Sequence, residues 1–87
     1  MTDAGLQIAL VGASGRMGRA VIAAASGRDD VRITGALESP SCPELGSDAG
    51  ETAGIGPIGV PISSDLERAF NDAQVVVELS HPAAVQA

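Results

Sequence analysis

Hydrophobic and polar positions over the first 38 residues predict a strand, a helix and a second strand. Leu6–Val11 is a short apolar run that stops at a glycine, as buried parallel strands do. From residue 16 to 26, apolar side chains recur every three or four positions, which predicts a helix with Gly27 as its C-cap. Val31–Leu37 returns to β-branched alternation, and Glu38 follows it. Together these elements have the length of a βαβ unit, roughly 30 residues.

Residues 39–59 differ from both flanks, because three prolines and five glycines interrupt every periodic pattern. We therefore predict no regular element there. Val60–Ile62 is predicted to be a short edge strand, since proline is tolerated at a sheet edge. Ser64 and Glu67 have the spacing of a capping box, which predicts a short helix to about residue 71.

Near the end of the chain, Val75–Leu79 is an apolar run that predicts another buried strand. Pro82 stands where the first turn of a following helix is expected, and the chain ends at Ala87. This pattern predicts an α/β fold, a doubly wound parallel sheet of the Rossmann type. The helix that is cut off after Pro82 predicts that residues 1–87 are a fragment, which stops before the remaining strands of such a sheet.

Composition and charge argue against nucleic-acid-binding, membrane-spanning and metal-binding functions. With 5 Arg, no Lys and 11 acidic residues, the net charge is −6, which argues against general nucleic-acid binding. No apolar run approaches the roughly 18 residues of a membrane span, and no basic and apolar leader opens the chain, so a cytoplasmic protein is expected. Cys42 has no cysteine to pair with and reads as an inert loop thiol, and no metal-ligand spacing occurs.

The glycine-rich turn after the first strand carries the candidate chemistry. Gly12, Gly15 and Gly18 form a G-x-x-G-x-x-G variant of the dinucleotide fingerprint. The first glycine permits a tight exit from the strand, the second allows backbone to approach a pyrophosphate, and the third allows close helix packing. Phosphates are then expected at the helix N-terminus, where Arg16 and Arg19 add positive charge.

Glu38 supplies the acid that the fingerprint requires, twenty residues after Gly18. A carboxylate at this position accepts hydrogen bonds from the ribose hydroxyls and repels a 2′-phosphate, which favours NAD over NADP. The chain reversal of a doubly wound sheet also predicts that Ser80 and His81 face the glycine turn across the cofactor. His81 fits a capping or solvent-exposed position as well as a catalytic one.

Three stretches together resemble the N-terminal domain of the dihydrodipicolinate reductases. They are Gly12-Ala-Ser-Gly-Arg-Met-Gly18 with its Glu38, then Leu45-Gly-Ser-Asp-Ala-Gly50-Glu51, then the Val-Val-Glu-Leu-Ser80 strand end. The resemblance implies reduction of a cyclic dicarboxylate in diaminopimelate and lysine synthesis, with NADH or NADPH, by a homotetramer. It also implies that residues 1–87 are the N-terminal dinucleotide-binding domain, without the C-terminal substrate and tetramerisation domain of the family.

The resemblance also implies roles for individual residues. The cofactor phosphates would be held by Gly12, Ala13, Ser14, Gly15, Arg16 and Met17. Glu38 would bind the adenosine ribose, and Ser80 the nicotinamide half. In some members of the family, the residue after the ribose-binding acid is Arg, which can pair with a 2′-phosphate; this chain has Ser39 at that position. The catalytic histidine and lysine of the family have no match in residues 1–87, so binding without turnover is expected.

Two other functions remain open on the sequence. One is a different NAD(P)-dependent reductase, such as a semialdehyde dehydrogenase, which requires a catalytic cysteine. The other is a regulatory module that binds a nucleotide and performs no chemistry.

Overall fold

A parallel sheet of four strands forms the centre of the computed structural model, which describes residues 5–79. In chain order the elements are β1 (Leu6–Val11), α1 (Arg16–Ala25), β2 (Val31–Leu37), α2 (Ala49–Thr52), β3 (Ile62–Ser63), α3 (Leu66–Phe70) and β4 (Val75–Glu78). The strand order is β3-β2-β1-β4, so the chain crosses back over β1 after β3. This confirms the predicted doubly wound α/β fold. In residues 5–79, no helix has the length and apolar character needed to cross a membrane.

The two strands with the strongest sequence patterns have the predicted bounds. β1 and β2 pair in parallel from Leu6 opposite Val31 to Val11 opposite Leu37. α1 begins at the predicted residue and ends at Ala25, with Ser26 as its C-cap. The prediction of a Gly27 cap is wrong, because Gly27 does not adopt the left-handed conformation that such a cap uses.

The prediction of no regular element in residues 39–59 is also wrong. α2 forms within this segment because the Asp48 carboxylate caps its first turn, accepting hydrogen bonds from the N–H groups of Gly50 and Glu51 at 2.8 and 3.2 Å. The same carboxylate accepts from the N–H groups of residues 58, 59 and 60, which lie ten to twelve positions later. Five backbone donors on one side chain therefore fold this glycine-rich and proline-rich segment back on itself.

The second half of the chain differs from prediction in its boundaries. β3 begins at Ile62 rather than Val60, and β4 ends at Glu78. The predicted Ser64 cap is wrong: Asp65 caps α3 and accepts hydrogen bonds from the N–H groups of residues 67 and 68. Asp65 is one position nearer the helix, and its carboxylate accepts from the Glu67 N–H that Ser64 was predicted to bind and also from that of Arg68. The predicted helix start at Pro82 lies outside the described residues.

The core occupies the sheet face covered by α1 and α2, with Leu10, Ile22 and Ile62 as its largest fully buried side chains. The opposite face is covered by α3, which lies so close to β2 that a Cβ atom at Gly35 would overlap the carbonyl of Ala69. A register shift between residues 8 and 9 of β1 places an extra residue in β2 just before Gly35. The glycine therefore faces α3.

The contact between Gly35 and α3 predicts a large loss of stability for Gly35→Ala. Because the added methyl group would meet backbone, α3 must move away from the sheet, and we expect the free energy of unfolding to fall by about 3 kcal/mol, the upper end for overpacking. Urea unfolding measures the change. Gly27→Ala is the matched control, since a Cβ atom there meets nothing within 4 Å. Equal unfolding midpoints for the two variants would contradict the packing account.

The Asp48 hydrogen bonds predict a pH dependence of stability. Desolvation raises the pKa of the Asp48 carboxyl, but bonds from the N–H groups of Ile58, Gly59, Glu51 and Gly50 outweigh it, so the pKa lies below its ordinary value. A lowered native pKa contributes stability that is fully present above the unfolded value of about 3.9 and is lost as the pH falls through the native value.

We therefore expect Asp48→Asn to lower the free energy of unfolding at pH 7. Below about pH 4, the free energy of unfolding of this variant should fall less steeply with decreasing pH than that of the unsubstituted chain. Urea unfolding at a series of pH values measures both effects. Asp72→Asn, at an exposed turn position, is the control and should retain the wild-type slope. An unchanged slope in Asp48→Asn would show that this carboxyl does not carry the effect.

Candidate dinucleotide site

The glycine turn lies at the carboxyl edge of the sheet and is joined to the end of β2. Gly12 has a φ of +85°, a left-handed conformation that favours glycine, and this turns the chain sharply at the end of β1. Its N–H donates to the carbonyl of Leu37 at 2.9 Å, while its own carbonyl accepts from the N–H of Gly15 at 3.2 Å. The predicted role of Gly12 in a tight strand exit is confirmed.

Gly18 brings α1 against this turn. A Cβ atom at Gly18 would lie 2.5 Å from the carbonyl oxygen of Gly12 and 2.6 Å from that of Ala13. The close contact is therefore with the turn itself rather than with the body of the strand. A side chain here would force the N-terminus of α1 away from the end of β1.

The N-terminus of α1 differs from those of the two shorter helices. Aspartates cap α2 and α3, but the N-cap of α1 is Gly15, which has no side chain to accept from the first-turn N–H groups. The first turn also contains no acidic residue. Exposed Arg16 and Arg19 lie there instead, and neither forms an ion pair within residues 5–79. Free N–H groups, the positive end of the helix dipole and two guanidinium groups together suit an anion.

Glu38 is held by the glycine turn. The N–H and the hydroxyl of Ser14 both donate to Oε2 of Glu38, at 2.8 and 2.7 Å. The backbone of Glu38 is fixed as well, since its N–H donates to the carbonyl of Ser63 at 2.9 Å. Both side chains are half-buried. The acidic residue predicted to bind the ribose thus lies beside the glycine turn predicted to bind the phosphates, and its Oε1 can accept from a ligand.

The six predicted phosphate-binding residues fall into two groups. Ala13 is fully buried in the core, and the N–H groups of residues 12 to 15 all donate within the protein. Arg16 and Met17 are exposed at the first turn of α1, and Met17 retains 59% of its accessible surface. The geometry therefore concentrates ligand-facing groups at the C-terminal part of the turn. Ser80 and His81 lie outside the described residues.

Cys42 lies closer to this site than its sequence context suggested. Its sulfur is 3.3 Å from the Ser14 hydroxyl, and the thiol donates to Oε1 of Glu44 at 3.4 Å. No sequence signal indicated this, because the position of a residue in an irregular segment depends on how the whole segment folds. The thiol therefore lies against Ser14, the residue that holds Glu38.

A cavity of about 300 Å³ adjoins Glu38 at the same edge. Its lining comes from the ends of β1 and β2 and from the start of α3: Val11, Gly12, Leu37, Glu38, Ser39, Ser64 and Leu66. Sequence reasoning missed Ser64 and Leu66 as site residues. Their contribution depends on α3 lying across the end of β2, which no local pattern reveals.

A family model described as "Dihydrodipicolinate reductase, N-terminus" matches residues 6–87. The chain belongs to this family. The sequence-based resemblance to dihydrodipicolinate reductases is thereby confirmed, and the glycine turn, Glu38 and the cavity all lie within the matched segment.

Similar proteins carry the name 4-hydroxy-tetrahydrodipicolinate reductase. The one from Citrifermentans bemidjiense is 46% identical over 77 residues, which are 88% of this chain and 29% of that protein. The one from Sinorhizobium fredii is 41% identical over 83 residues, 95% of this chain and 30% of that protein. The one from Afipia carboxidovorans is 42% identical over 79 residues, which are 91% of this chain and 29% of that protein. The chain spans about three tenths of the length of these relatives.

Proposed function

We propose that this chain is the NAD(P)H-binding portion of a 4-hydroxy-tetrahydrodipicolinate reductase, which forms tetrahydrodipicolinate in diaminopimelate and lysine synthesis. The observation that carries the proposal is the Ser14–Glu38 contact beside the uncapped N-terminus of α1, in a chain that belongs to the dihydrodipicolinate reductase family. This contact joins an acceptor for ribose hydroxyls to a site suited to phosphates, which is the arrangement that a dinucleotide requires.

Each part of the site has a distinct task in binding. The first-turn N–H groups of Arg16 and Met17 bind the pyrophosphate, and the Arg16 and Arg19 guanidinium groups neutralise its charge. Ser14 holds one oxygen of Glu38, so that the other accepts from the adenosine ribose. Ser80 contributes to the nicotinamide half. The reduced nicotinamide supplies a hydride when bound, while these residues fix its orientation.

The charge at the ribose position favours NADH over NADPH. A 2′-phosphate would lie against the Glu38 carboxylate, and the next residue is Ser39, whose hydroxyl is 3.2 Å from that of Ser41. Neither serine supplies the positive charge that would offset this repulsion. Arg16, at the first position of α1, is the candidate for partial compensation.

The rest of the reaction is assigned to protein beyond this chain. Val75 and Val76 of β4 keep 40% and 47% of their accessible surface, which suits a strand that further structure covers. With three tenths of the relatives' length present, we assign substrate binding, proton transfer and homotetramer formation to a C-terminal domain of a cytoplasmic enzyme. Residues 1–87 alone are proposed to bind cofactor without turnover.

Cys42 gives no support to a semialdehyde dehydrogenase. A nucleophile in that class must lie beside the nicotinamide, because the hydride leaves the substrate atom that the sulfur attacks. The Cys42 thiol contacts Ser14 and Glu44, on the β2 side of the site. The nicotinamide half is expected on the opposite side of β1, towards β4.

Glu38→Ala tests the ribose assignment. Loss of hydrogen bonds to a charged acceptor costs about 1.5–3 kcal/mol, so we expect NADH to bind at least about tenfold more weakly, while NADPH loses less because a repulsion is also removed. Calorimetric titration of the chain with both nucleotides measures this. Glu51→Ala, an exposed acid on α2, is the control.

Two results would count against the proposal. If the unsubstituted chain binds neither nucleotide, the proposed function fails. If it binds NADH and Glu38→Ala binds NADH equally well, the site is a dinucleotide site but the ribose assignment is wrong.

A further inference from the structure

Arg68 is an arginine without a partner in an acidic chain. The sequence has 11 Asp and Glu residues against 5 Arg. Arg68 is nevertheless exposed on α3, and its guanidinium group forms neither an ion pair nor a hydrogen bond in the part of the chain that the structure describes. The nearby Asp65 carboxylate accepts from backbone N–H groups of α3 instead. The guanidinium group is therefore available to an anion from outside the chain.

Two adjoining cavities lie beside Arg68, between α3 and the edge strand β3. The smaller has a volume of about 130 Å³ and is lined in part by Thr34, Ser63 and Arg68. The larger has a volume of about 370 Å³ and is lined in part by Leu45, Ser63 and Arg68. Because Ser63 and Arg68 line both cavities, we refer to the pair as the Arg68 cleft.

The Thr34 hydroxyl is an independent indication that the cleft takes a ligand. Thr34 is the extra residue that the register shift places in β2, and it lines the smaller cavity. Its Oγ1 is buried and has no hydrogen-bond partner within residues 5–79. A buried hydroxyl without a partner destabilises the fold. A hydrogen-bond acceptor in the smaller cavity would supply that partner.

The polar groups of the cleft match a carboxylate. The Arg68 guanidinium can donate two parallel hydrogen bonds to the two oxygens of a carboxylate. The Ser63 hydroxyl accepts from the Asp65 N–H at 2.9 Å, so its own proton can be donated to a ligand. The Thr34 hydroxyl is a third donor. No acidic side chain lines either cavity among the described residues, so nothing in the lining repels an anion.

The larger cavity favours a carboxylate that carries a hydrocarbon body. Its apolar lining is provided by half-buried Leu45, by Pro61 and by Ile62, which keeps only 2% of its accessible surface. Its volume is within the range of small-molecule sites. Inorganic phosphate would leave these apolar side chains without a contact, and its second charge would have no second arginine.

We propose that the Arg68 cleft binds a small organic carboxylate with an apolar body. The carboxylate lies at Thr34, Ser63 and Arg68, and the apolar body lies against Leu45 and Ile62. Three donors that converge on one end of an apolar cavity fix the orientation of such a ligand.

The cleft is distinct from the proposed dinucleotide site. The cavity beside Glu38 shares only Ser64 with it. The N–H groups at the start of α3 already donate to Asp65, so the cleft depends on side chains and not on the helix end. The inference therefore goes beyond cofactor binding and does not rest on the proposed function.

Amide chemical shifts of the isotopically labelled chain during titration with isovalerate test the proposal. We expect saturable shifts at Thr34, Ser63, Ser64 and Arg68, which saturating NADH leaves unchanged. Acetate lacks most of the hydrocarbon body, isovaleramide lacks the charge, and phosphate lacks the body altogether. Each should bind at least about tenfold more weakly than isovalerate.

Substitutions separate ligand binding from folding. Arg68→Gln should weaken isovalerate binding about tenfold, whereas Arg32→Gln removes the same charge from another exposed arginine and should not. Thr34→Val removes the hydroxyl at nearly constant shape and should weaken binding about threefold. Its urea midpoint should be unchanged or higher, because the hydroxyl has no partner in the fold. A purely structural role for Thr34 would lower the midpoint instead.

Several results would overturn the inference. The first is the absence of saturable shifts around the cleft in the unsubstituted chain. Displacement of isovalerate by NADH would place the carboxylate in the dinucleotide site. Unchanged affinity in Arg68→Gln or Thr34→Val, or an equal loss in Arg32→Gln, would show that the named donors do not hold it. Phosphate binding as tight as that of isovalerate would contradict the ligand class.

Discussion

Close approach of backbone to backbone is the constraint on which the site depends. Two glycines allow this approach on opposite faces of the sheet. Gly18 allows α1 to contact the turn after β1, and Gly35 allows α3 to contact β2. A methyl group at either position would collide with a carbonyl. Since both helices begin at the carboxyl edge of the sheet, their close packing brings the α1 N-terminus and Leu66 to the same edge as Glu38.

Hydrogen bonding gives the acidic side chains different roles. The carboxylates of Asp48 and Asp65 accept hydrogen bonds from the helices they cap. Glu38 accepts from Ser14 through one oxygen, and its other oxygen can accept from a ligand. α1, which has no cap, keeps its first-turn donors. The acidic side chains of Asp48 and Asp65 are thus occupied by backbone N–H donors, while Arg16 lies at the uncapped start of α1, which suits an anion in an otherwise acidic chain.

Local patterns sufficed for the elements that local forces determine. β1, β2 and the start of α1 follow from periodicity, and Glu38 follows from its distance to the glycine turn. The wrongly predicted caps at Gly27 and Ser64 are shifts of one residue, but the two larger features that were missed, α2 and the cavity, depend on residues far apart in the chain. The five donors to Asp48 include three that lie ten or more residues away, so α2 was not foreseen. The cavity lining by Leu66 likewise requires α3 to lie over the end of β2, which the glycine at position 35 decides.

The central claim is that a dinucleotide binds across the carboxyl edge of this sheet. Amide chemical shifts of the isotopically labelled chain during NADH titration test it most directly. The account predicts that the largest shifts occur at Ser14, at Arg16 and Met17, and around Glu38, with no comparable change at the opposite edge. A further cavity lies elsewhere on the molecule and is lined in part by Ile22, Arg28, Ile55 and Ile58. The account would be contradicted if the largest shifts occurred around that cavity.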